Sequence, residues 1–316
     1  MSSAVTIPIK SPSLPARDIS GILIVDKPVG LSSNAVLQRV KRLFRASKAG
    51  HGGSLDPLAS GVLPVFFGAA TRLSTYALDA PKRYVVEATL GARTTTGDAE
   101  GEVIARAPVP ELGREQLAAL LAVRFTGVLQ QIPPMYSALK VAGRPLYALA
   151  RQGVEVERAE RAITIYEIQL LRLDGAIVEL DVRCSKGTYI RTLVEDIGVA
   201  LGCGAHVSVL RRSEAGPFTL AESHALEALQ ACAEQSGAAL DACLLPLSRG
   251  VASLPRMIVS EAQADELRHG RVITIAGCSG TVAVFDVAGQ LLSIGEHDDA
   301  GLLHPRRNFS PPKNGN

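Results

Sequence analysis

Apolar residues with a period of two mark several strands along the chain. The stretch KRYVVEATLGART (82–94) alternates apolar and polar positions, which predicts a strand with one buried face. The stretch AIVELDVRCS (176–185) alternates in the same way. GILIVDKP (21–28) is a short apolar run closed by Asp-Lys-Pro, and this pattern predicts a buried strand that ends in a turn.

Apolar positions at helical spacing predict helices between these strands. SSNAVLQRVKRLFRA (32–46) predicts an amphipathic helix with a basic outer face. PELGREQLAALLAVRFTG (110–127), YIRTLVEDIGVAL (189–201) and a connector near 220–245 are also predicted to be helical. Because helices interleave with half-polar strands, we expect an α+β fold with a mixed, mainly antiparallel sheet.

Composition divides the chain into segments. Residues 1–19 are rich in Ser and Pro and predict a flexible leader, and residues 310–316 predict a disordered tail. Between them we expect a large domain over 20–250 and a small β-rich domain over 251–309, where short strand-like runs are separated by glycines. Within the large domain, 128–157 mixes prolines, basic residues and tyrosines without a clean period, as an exposed insertion would.

The residue inventory excludes several common kinds of site. The five cysteines are odd in number and never form a CxxC pair, so neither a disulfide framework nor a zinc site is indicated. No GxxxxGK[ST] loop, HExxH motif or dinucleotide fingerprint is present, which removes the usual sequence grounds for ATP, catalytic zinc or NAD. We therefore expect a protein that works without a metal or another cofactor.

Neither a membrane-spanning run nor a secretory signal is visible in the sequence. No apolar stretch approaches the roughly 20 residues that a bilayer requires, and the N-terminus lacks the pattern of a signal peptide. These observations favour a cytoplasmic protein.

Charge is unevenly distributed along the chain, although the net charge is only +2. Between Asp26 and Arg83, nine Lys or Arg residues stand against three acids. Such a segment is either a solvated surface or a contact for a polyanion such as RNA, and charge alone leaves both interpretations open.

Asp56 lies in the stretch GHGGSLDPLASG (50–61), where two interpretations are possible. Asp-Pro is typical of a helix start, so Asp56 could be the N-cap of a helix over DPLASGVL. Closely spaced glycines instead indicate a loop whose backbone approaches a ligand. His51 among them is either a hydrogen-bonded structural residue or a nucleic-acid contact. An ionised Asp56 could also act as a nucleophile or base.

Arg191 occupies an unusual position if Thr188 caps the helix that follows. A cation in the first helical turn is disfavoured by the helix dipole, so a compensating partner is expected. That partner is either Glu195, one turn further on, or a carboxylate from elsewhere in the chain, for which Asp56 is the obvious candidate.

Tyrosines next to cations provide a second group of candidates. Tyr84 and Tyr189 are either packing residues or rings that stack on an unpaired base. In AHVSVLRR, Leu210 is expected in the core, with Arg211 and Arg212 as a surface pair.

Five motifs together resemble the TruB family, the tRNA pseudouridine-55 synthases. They occur in the family's order over about 20–220, and they read GILIVDKPVGLSS, AGHGGSLDPLASGVLPV, KRYVVEATLGARTTTGD, CSKGTYIRTLVEDIG and AHVSVLRR. GEHDDAGLLHPRR (295–307) resembles the end of the family's PUA-like domain. The chain departs from the family at Gly52, where threonine is usual, and at Ser54, where threonine or alanine is usual.

The resemblance implies a pseudouridine synthase fold and assigns roles to individual residues. Asp56 would be the catalytic aspartate, paired with Arg191, and would let the base detach, rotate and rejoin ribose through C5. Attack at C1′, attack at C6 and deprotonation of the ribose all remain open. Tyr84 would stack on the flipped base and help to remove the proton at C5. Tyr189 and Leu210 would line the pocket. His51 would enter the T loop, and Lys27 would bind substrate.

The resemblance also implies the partner, which is the T stem-loop of tRNA. The insertion at 128–157 would be an RNA-binding thumb. We expect a monomer that needs no protein partner. We also expect a role in tRNA folding. The competing functions are a non-enzymatic RNA-binding protein and an aspartate-dependent hydrolase. A hydrolase would require a second carboxylate, for which Asp26 and Asp98 are the candidates. A guide-RNA-dependent relative is disfavoured by the insertion.

Overall fold

The computed structural model describes residues 15–309, except 138 and 142. Most of the predicted leader and the whole predicted tail at 310–316 lie outside the described residues. No helix in the described part of the chain is long and apolar enough to cross a membrane.

A nine-stranded sheet forms the centre of the molecule. In chain order, the strands up to residue 219 are β1 (Gly21–Lys27), β2 (Ala49–His51), β3 (Ala59–Phe67), β4 (Lys82–Leu90), β5 (Ala92–Thr94), β6 (Val103–Arg106), β7 (Gly127–Gln131), β8 (Lys140–Val141), β9 (Arg144–Pro145), β10 (Arg161–Asp174), β11 (Ile177–Cys184), β12 (Ala205–Ala215) and β13 (Phe218–Thr219). The order in the sheet is β1-β3-β12-β4-β11-β10-β7, with β2 on β3 and β13 on β12. Only β3 and β12 run parallel, so the sheet is mixed and mainly antiparallel, as predicted.

The described residues form eight helices. They are α1 (Ser33–Leu43), α2 (Ser74–Asp79), α3 (Arg114–Arg124), α4 (Leu146–Ala150), α5 (Ile190–Ala200), α6 (Leu226–Gln235), α7 (Gly237–Asp241) and α8 (Glu261–Arg268), with 3-10 turns at 68–73, 220–222 and 247–251. Ser32 caps α1 by accepting a hydrogen bond from the amide of Ala35, as the Ser-Ser-Asn start predicted.

Five further strands form a second sheet at the C-terminus. They are β14 (Arg256–Ile258), β15 (Ile273–Thr274), β16 (Gly280–Phe285), β17 (Leu291–His297) and β18 (Leu302–Asn308), in the order β14-β16-β17-β18-β15. This sheet shares an apolar core with the central one, because Phe285 and Phe309 belong to the same cluster as Ile22 and Phe66.

The strand faces explain where the central core lies. Along β4 every second residue from Lys82 to Leu90 is buried, as the alternation predicted. These residues pack against α5, whose buried positions include Leu193 and Val194. The helix α1 packs over β1 and β3 through Val36 and Val40. The loop between β2 and β3 emerges beside this core.

The structure corrects two local expectations. Asp56 does not begin a helix, because β3 starts at Ala59 and Asp56 lies in the loop before it. Almost every residue of β3 is buried, so the strand has no alternation that would distinguish it from a helix. Arg212 is not a surface residue, since only 1% of it is exposed.

Candidate active site

The loop that carries Asp56, residues 52–58, forms one side of an open cavity, and we call it the loop wall. Gly53 has a φ of 127°, a conformation that favours glycine. A Cβ at Gly52 would lie 2.8 Å from the Ala77 Cβ atom and 2.8 Å from Cε2 of Phe66. The packing of Phe66 and Ala77 therefore leaves no room for a side chain at position 52.

Lys27 holds the loop wall from beneath. Its Nζ donates hydrogen bonds to the carbonyls of Pro28 at 2.8 Å, Pro57 at 3.4 Å and Ala59 at 2.6 Å. Its side chain has no exposed surface, and burial lowers its pKa to about 8 although the charge of Asp56 opposes the change. The structure thus places Lys27 under the loop and not in the cavity, where the sequence analysis had it binding substrate.

Ser33 fastens the same loop to the start of α1. Its hydroxyl accepts a hydrogen bond from the Leu55 amide at 2.7 Å and donates one to the Leu55 carbonyl at 3.0 Å. The amide of Gly30 also binds the Pro57 carbonyl at 2.8 Å. Asp56 is therefore flanked on both sides by fixed backbone.

The opposite side of the cavity is the start of α5, residues 188–191, which we call the helix wall. Tyr189, and not Thr188, occupies the N-cap position, and its side chain makes no capping bond. Gln131 on β7 supplies a substitute, because its side chain accepts from the Tyr189 amide at 2.8 Å and donates to the Tyr189 carbonyl at 3.0 Å. The end of β7 thereby fixes the first turn of α5.

Arg191 joins the two walls. Its Nη2 lies 2.9 Å from Oδ2 of Asp56 and also donates to the Tyr136 carbonyl at 2.7 Å, while Nη1 donates to the Thr96 carbonyl at 2.7 Å. Only 4% of Arg191 is exposed. The compensating partner is thus Asp56, from more than a hundred residues away, and Glu195 forms no ion pair with Arg191 in the described structure.

Asp98 lies on the far side of the Arg191 guanidinium. Its Oδ2 is 3.8 Å from Nε of Arg191, and its Oδ1 accepts hydrogen bonds from the hydroxyl of Thr96 and the amide of Glu100. Asp26, the other carboxylate considered, is paired with Arg211 at 2.7 Å. No partner for Asp98 was predicted, although its place at the end of the polar stretch RTTTGD could have suggested one.

The cavity between the walls has a volume of about 310 Å³. Its lining brings together five of the seven residues that the sequence analysis selected, namely Asp56, Arg191, Tyr84, Tyr189 and Leu210. Burial raises the pKa of the Tyr84 phenol, which the charge of Arg212 opposes, and burial also raises the pKa of Tyr189. Both rings are therefore neutral at pH 7.

His51 is placed at the end of β2, just before the loop wall. It is half-buried, and burial is the main reason that its pKa is lowered, with the charge of Arg212 as the next cause. Its Nδ1 is buried and has no hydrogen-bond partner among the described residues. A neutral imidazole at the edge of the loop suits contact with a base, although His51 does not line the cavity itself.

Arg212 is the cavity residue that sequence reasoning missed. It follows Leu210 by two positions on β12, and residues two apart on a strand share a face. Because Leu210 was expected to face inward, the same should have been expected of Arg212.

Family models match almost the whole described chain. TruB family pseudouridylate synthase (N terminal domain) matches residues 41–190, tRNA pseudouridylate synthase B C-terminal domain matches 191–252, and tRNA Pseudouridine synthase II, C terminal matches 254–303. The chain belongs to the TruB family. The N-terminal match contains Asp56 and Arg191 lies at the start of the second match, so the TruB assignment covers both cavity walls.

Individual relatives of this TruB chain agree over nearly its full length. It is 53% identical to the tRNA pseudouridine synthase B of Ectopseudomonas mendocina (strain ymp), over 92% of this chain and 95% of the relative. It is 52% identical to that of Stutzerimonas stutzeri (strain A1501), over 92% and 96%. It is 50% identical to that of Pseudomonas aeruginosa (strain UCBPP-PA14), again over 92% and 96%.

Solved structures confirm the expected fold. A chain in the crystal structure of a Cbf5-Nop10-Gar1 complex is 26% identical with a TM-score of 0.73, over 92% of this chain and 85% of that one. A chain in a structure of an H/ACA RNP bound to a substrate RNA containing 2'-deoxyuridine is 25% identical with a TM-score of 0.71, over 93% and 86%. The TruB chain therefore has the α+β pseudouridine synthase fold with a small C-terminal β-rich domain, which is PUA-like.

Proposed function

We propose that this protein converts uridine to pseudouridine at position 55 in the T loop of tRNA, with Asp56 as its catalytic residue. The activity as a tRNA pseudouridine synthase is supported by family membership and by relatives whose sequences are 52% and 53% identical to this chain. The observation that carries the role of Asp56 is its 2.9 Å ion pair with Arg191 at the mouth of the cavity.

The ion pair orients the Asp56 carboxylate and leaves it accessible from the cavity. Arg191 binds one carboxylate oxygen, while 42% of the Asp56 side chain remains exposed toward the opening. In the reaction the C1′–N1 bond breaks, a C1′–C5 bond forms, the hydrogen at C5 leaves as a proton, and N1 gains a proton. Asp56 would begin this exchange by attacking C1′ or C6, or by deprotonating the ribose.

The cavity has the size and lining that an extruded base requires. Its volume lies at the lower end of the ~300–1,000 Å³ typical of small-ligand sites. Tyr84, Leu210 and Ile190 supply apolar surface on which a flat ring can stack. Chemistry on a base requires such extrusion from the stacked strand, so the pocket agrees with a flipped uridine as substrate.

A basic face on α1 and the turn after it would hold the RNA backbone. Arg39, Arg42, Arg45 and Lys48 are exposed, and none of them has a carboxylate partner within the described residues. This face continues directly into β2 and His51. Phosphate contacts from such cations supply most of the affinity for RNA without reading its sequence.

The insertion at 128–157 approaches the cavity from the helix-wall side. Tyr136 binds Arg191 through its carbonyl, and Ser137 lines the cavity. A short hairpin, β8–β9, and the helix α4 follow. We infer that this thumb-like segment closes over the T stem-loop, which would also support a role of this protein in tRNA folding. A single chain suffices for all these contacts, so we propose that it acts as a monomer.

Release of tritium from a T stem-loop RNA that carries 5-tritiated uridine tests the assignment of Asp56. Asp56→Asn should lower turnover by at least about 10³-fold, as loss of a nucleophile or general base does, and should leave RNA affinity within a few fold. Asp26→Asn is the matched control, because Asp26 pairs with Arg211 and does not line the cavity. Full activity of Asp56→Asn would remove the assignment.

A further inference from the structure

Arg212 is a buried cation at the cavity, held by backbone carbonyls and next to the neutral phenol of Tyr84. Its Nε donates to the Val62 carbonyl at 2.8 Å, Nη1 to the Ser54 carbonyl at 3.3 Å and Nη2 to the Gly53 carbonyl at 3.2 Å. The side chain is 1% exposed. These three bonds fix the guanidinium beside the loop wall, next to the cavity that it lines.

The contrast with Arg191 shows what Arg212 lacks. Arg191 has Asp56 on one side and Asp98 on the other, so its charge is compensated. No carboxylate of the described residues lies within 4.0 Å of Arg212. A buried charge without a counter-charge is costly, so its retention requires a reason beyond hydrogen bonding of the loop.

The cavity as a whole carries an excess of positive charge. Its charged lining residues are three cations, Lys82, Arg191 and Arg212, and one anion, Asp56. Burial is the main cause that lowers the pKa values of His51, Lys27 and Lys82, and the charge of Arg212 lowers each of them further. The charge of Arg212 therefore acts on several groups around the pocket.

The proposed reaction creates negative charge in this pocket. When the C1′–N1 bond breaks after attack at C1′ or after deprotonation of the ribose, its electron pair stays with the ring and gives a uracil anion. Attack at C6 likewise pushes electrons onto the ring, toward O4. Each of the three routes thus builds an anion on the base.

We propose that the charge of Arg212 stabilises the negative charge that develops on the uracil ring during isomerisation. The inference rests on the proposed function and adds a residue to it. Three neutral carbonyls hold the guanidinium in place without neutralising it, so it needs no reorganisation when the anion forms, and such preorganised charge is an effective means of catalysis. Arg212 acts here as a positioning and electrostatic residue, distinct from the Asp56–Arg191 pair.

Single-turnover rates on the T stem-loop RNA, RNA affinity and thermal unfolding of three variants test the proposal. Arg212→Met should lower the rate about 100-fold, a size typical for loss of one preorganised donor, with affinity within threefold of wild type. Arg212→Lys keeps the positive charge but not the branched guanidinium group. Its rate should be at least about tenfold higher than that of Arg212→Met. Arg211→Met, on the neighbouring residue of β12, is the control and should retain the wild-type rate.

Three results would overturn the inference. The first is a rate for Arg212→Met within threefold of wild type. The second is an equal loss for Met and Lys that follows the loss of thermal stability, because Arg212 would then only hold the loop. The third is weaker RNA binding with an unchanged rate, which would make Arg212 a phosphate contact. Absence of activity in the wild type would instead refute the proposed function itself.

A second measurement keeps the test decisive if Arg212→Met does not fold. A 5-fluorouridine substrate forms a more stable ring anion, so breakage of its C1′–N1 bond should depend less on Arg212. The rate ratio of wild type to Arg212→Lys should therefore be smaller for the fluorinated RNA than for uridine. An unchanged ratio would contradict a role in stabilising the anion.

Discussion

The two walls of the cavity are held by different means. The loop wall is fastened by the hydroxyl of Ser33 and by two cations, Lys27 and Arg212, that donate to its backbone carbonyls. The helix wall is fastened by a compensated charge, Arg191 against Asp98, and by the neutral side chain of Gln131. The helix wall is therefore electrostatically balanced, whereas the loop wall holds the charge of Arg212 beside the cavity with no carboxylate partner among the described residues. The Asp56–Arg191 pair is the contact that joins the walls.

Breaking the contact between the walls should have the largest effect. Arg191→Met leaves Asp98 buried without its cation and Asp56 without its partner. We expect a loss of stability of about 3 kcal/mol, as for a broken buried pair, and a fall in turnover of about 10²-fold with a much smaller change in RNA affinity. Denaturant unfolding, tritium release and RNA binding measure these quantities.

Arg191→Lys is the companion variant, because it retains the charge but only a single donor group. It should lie between wild type and Arg191→Met in both stability and turnover. Equal losses of turnover and affinity in Arg191→Met would contradict a role for Arg191 in orienting Asp56.

Loosening the loop wall from beneath should have an intermediate effect. Lys27→Met removes the donor shared by Pro57 and Ala59, so the loop should shift and turnover should fall about tenfold, since this is a loss of positioning and not of a reacting group. Tritium release measures it. Turnover equal to that of wild type would show that the loop keeps its shape without Lys27.

The same variant has a pH signature of defined sign. Burial lowers the Lys27 pKa from 10.5 to about 8, so between these values the unfolded chain binds more protons than the folded one. Wild-type stability should therefore rise relative to Lys27→Met as the pH increases from about 8 to 10.5. The pKa of Lys82 is also lowered to about 8. Because Lys82 is present in both proteins, its contribution to the difference in stability cancels. Urea unfolding at several pH values checks this trend.

Disturbing the helix wall through Gln131 should have the smallest effect. Gln131→Leu removes two hydrogen bonds to Tyr189, and we expect a loss of about 1–2 kcal/mol in stability and a few-fold loss in turnover. Gln130→Leu, at an exposed neighbouring position on β7, is the control and should change neither. If the two variants behave alike, Gln131 does not fix the start of α5.

The fold was most predictable where one face of an element meets solvent. The alternation over β4 and β11 and the periodicity of α1 and α5 correspond to elements found in the structure. By contrast, β3 is buried on both faces, so its sequence carries no period, and the Asp-Pro step before it mimics a helix start. Local signals identified the buried strand β1, which a turn closes, but they did not identify β3.

The site was predictable where a charged residue occupies a position that is unfavourable in its own helix. A cation in the first turn of α5 required a partner, and this requirement pointed to Asp56. Arg212 was expected at the surface, because hydropathy assigns charged residues there, and Asp98 was considered only as the second carboxylate of a hydrolase, without Arg191 as its partner. Their burial depends on tertiary contacts, with the loop carbonyls in one case and with Arg191 in the other.

The most direct test of the central claim is a site-resolved map of pseudouridine in unmodified, full-length tRNA incubated with and without this protein. Carbodiimide labelling followed by primer extension gives such a map. We predict one new pseudouridine, at position 55 in the T loop, which is absent when Asp56→Asn replaces the wild type. An unmodified T loop, or an equal signal from Asp56→Asn, would contradict it.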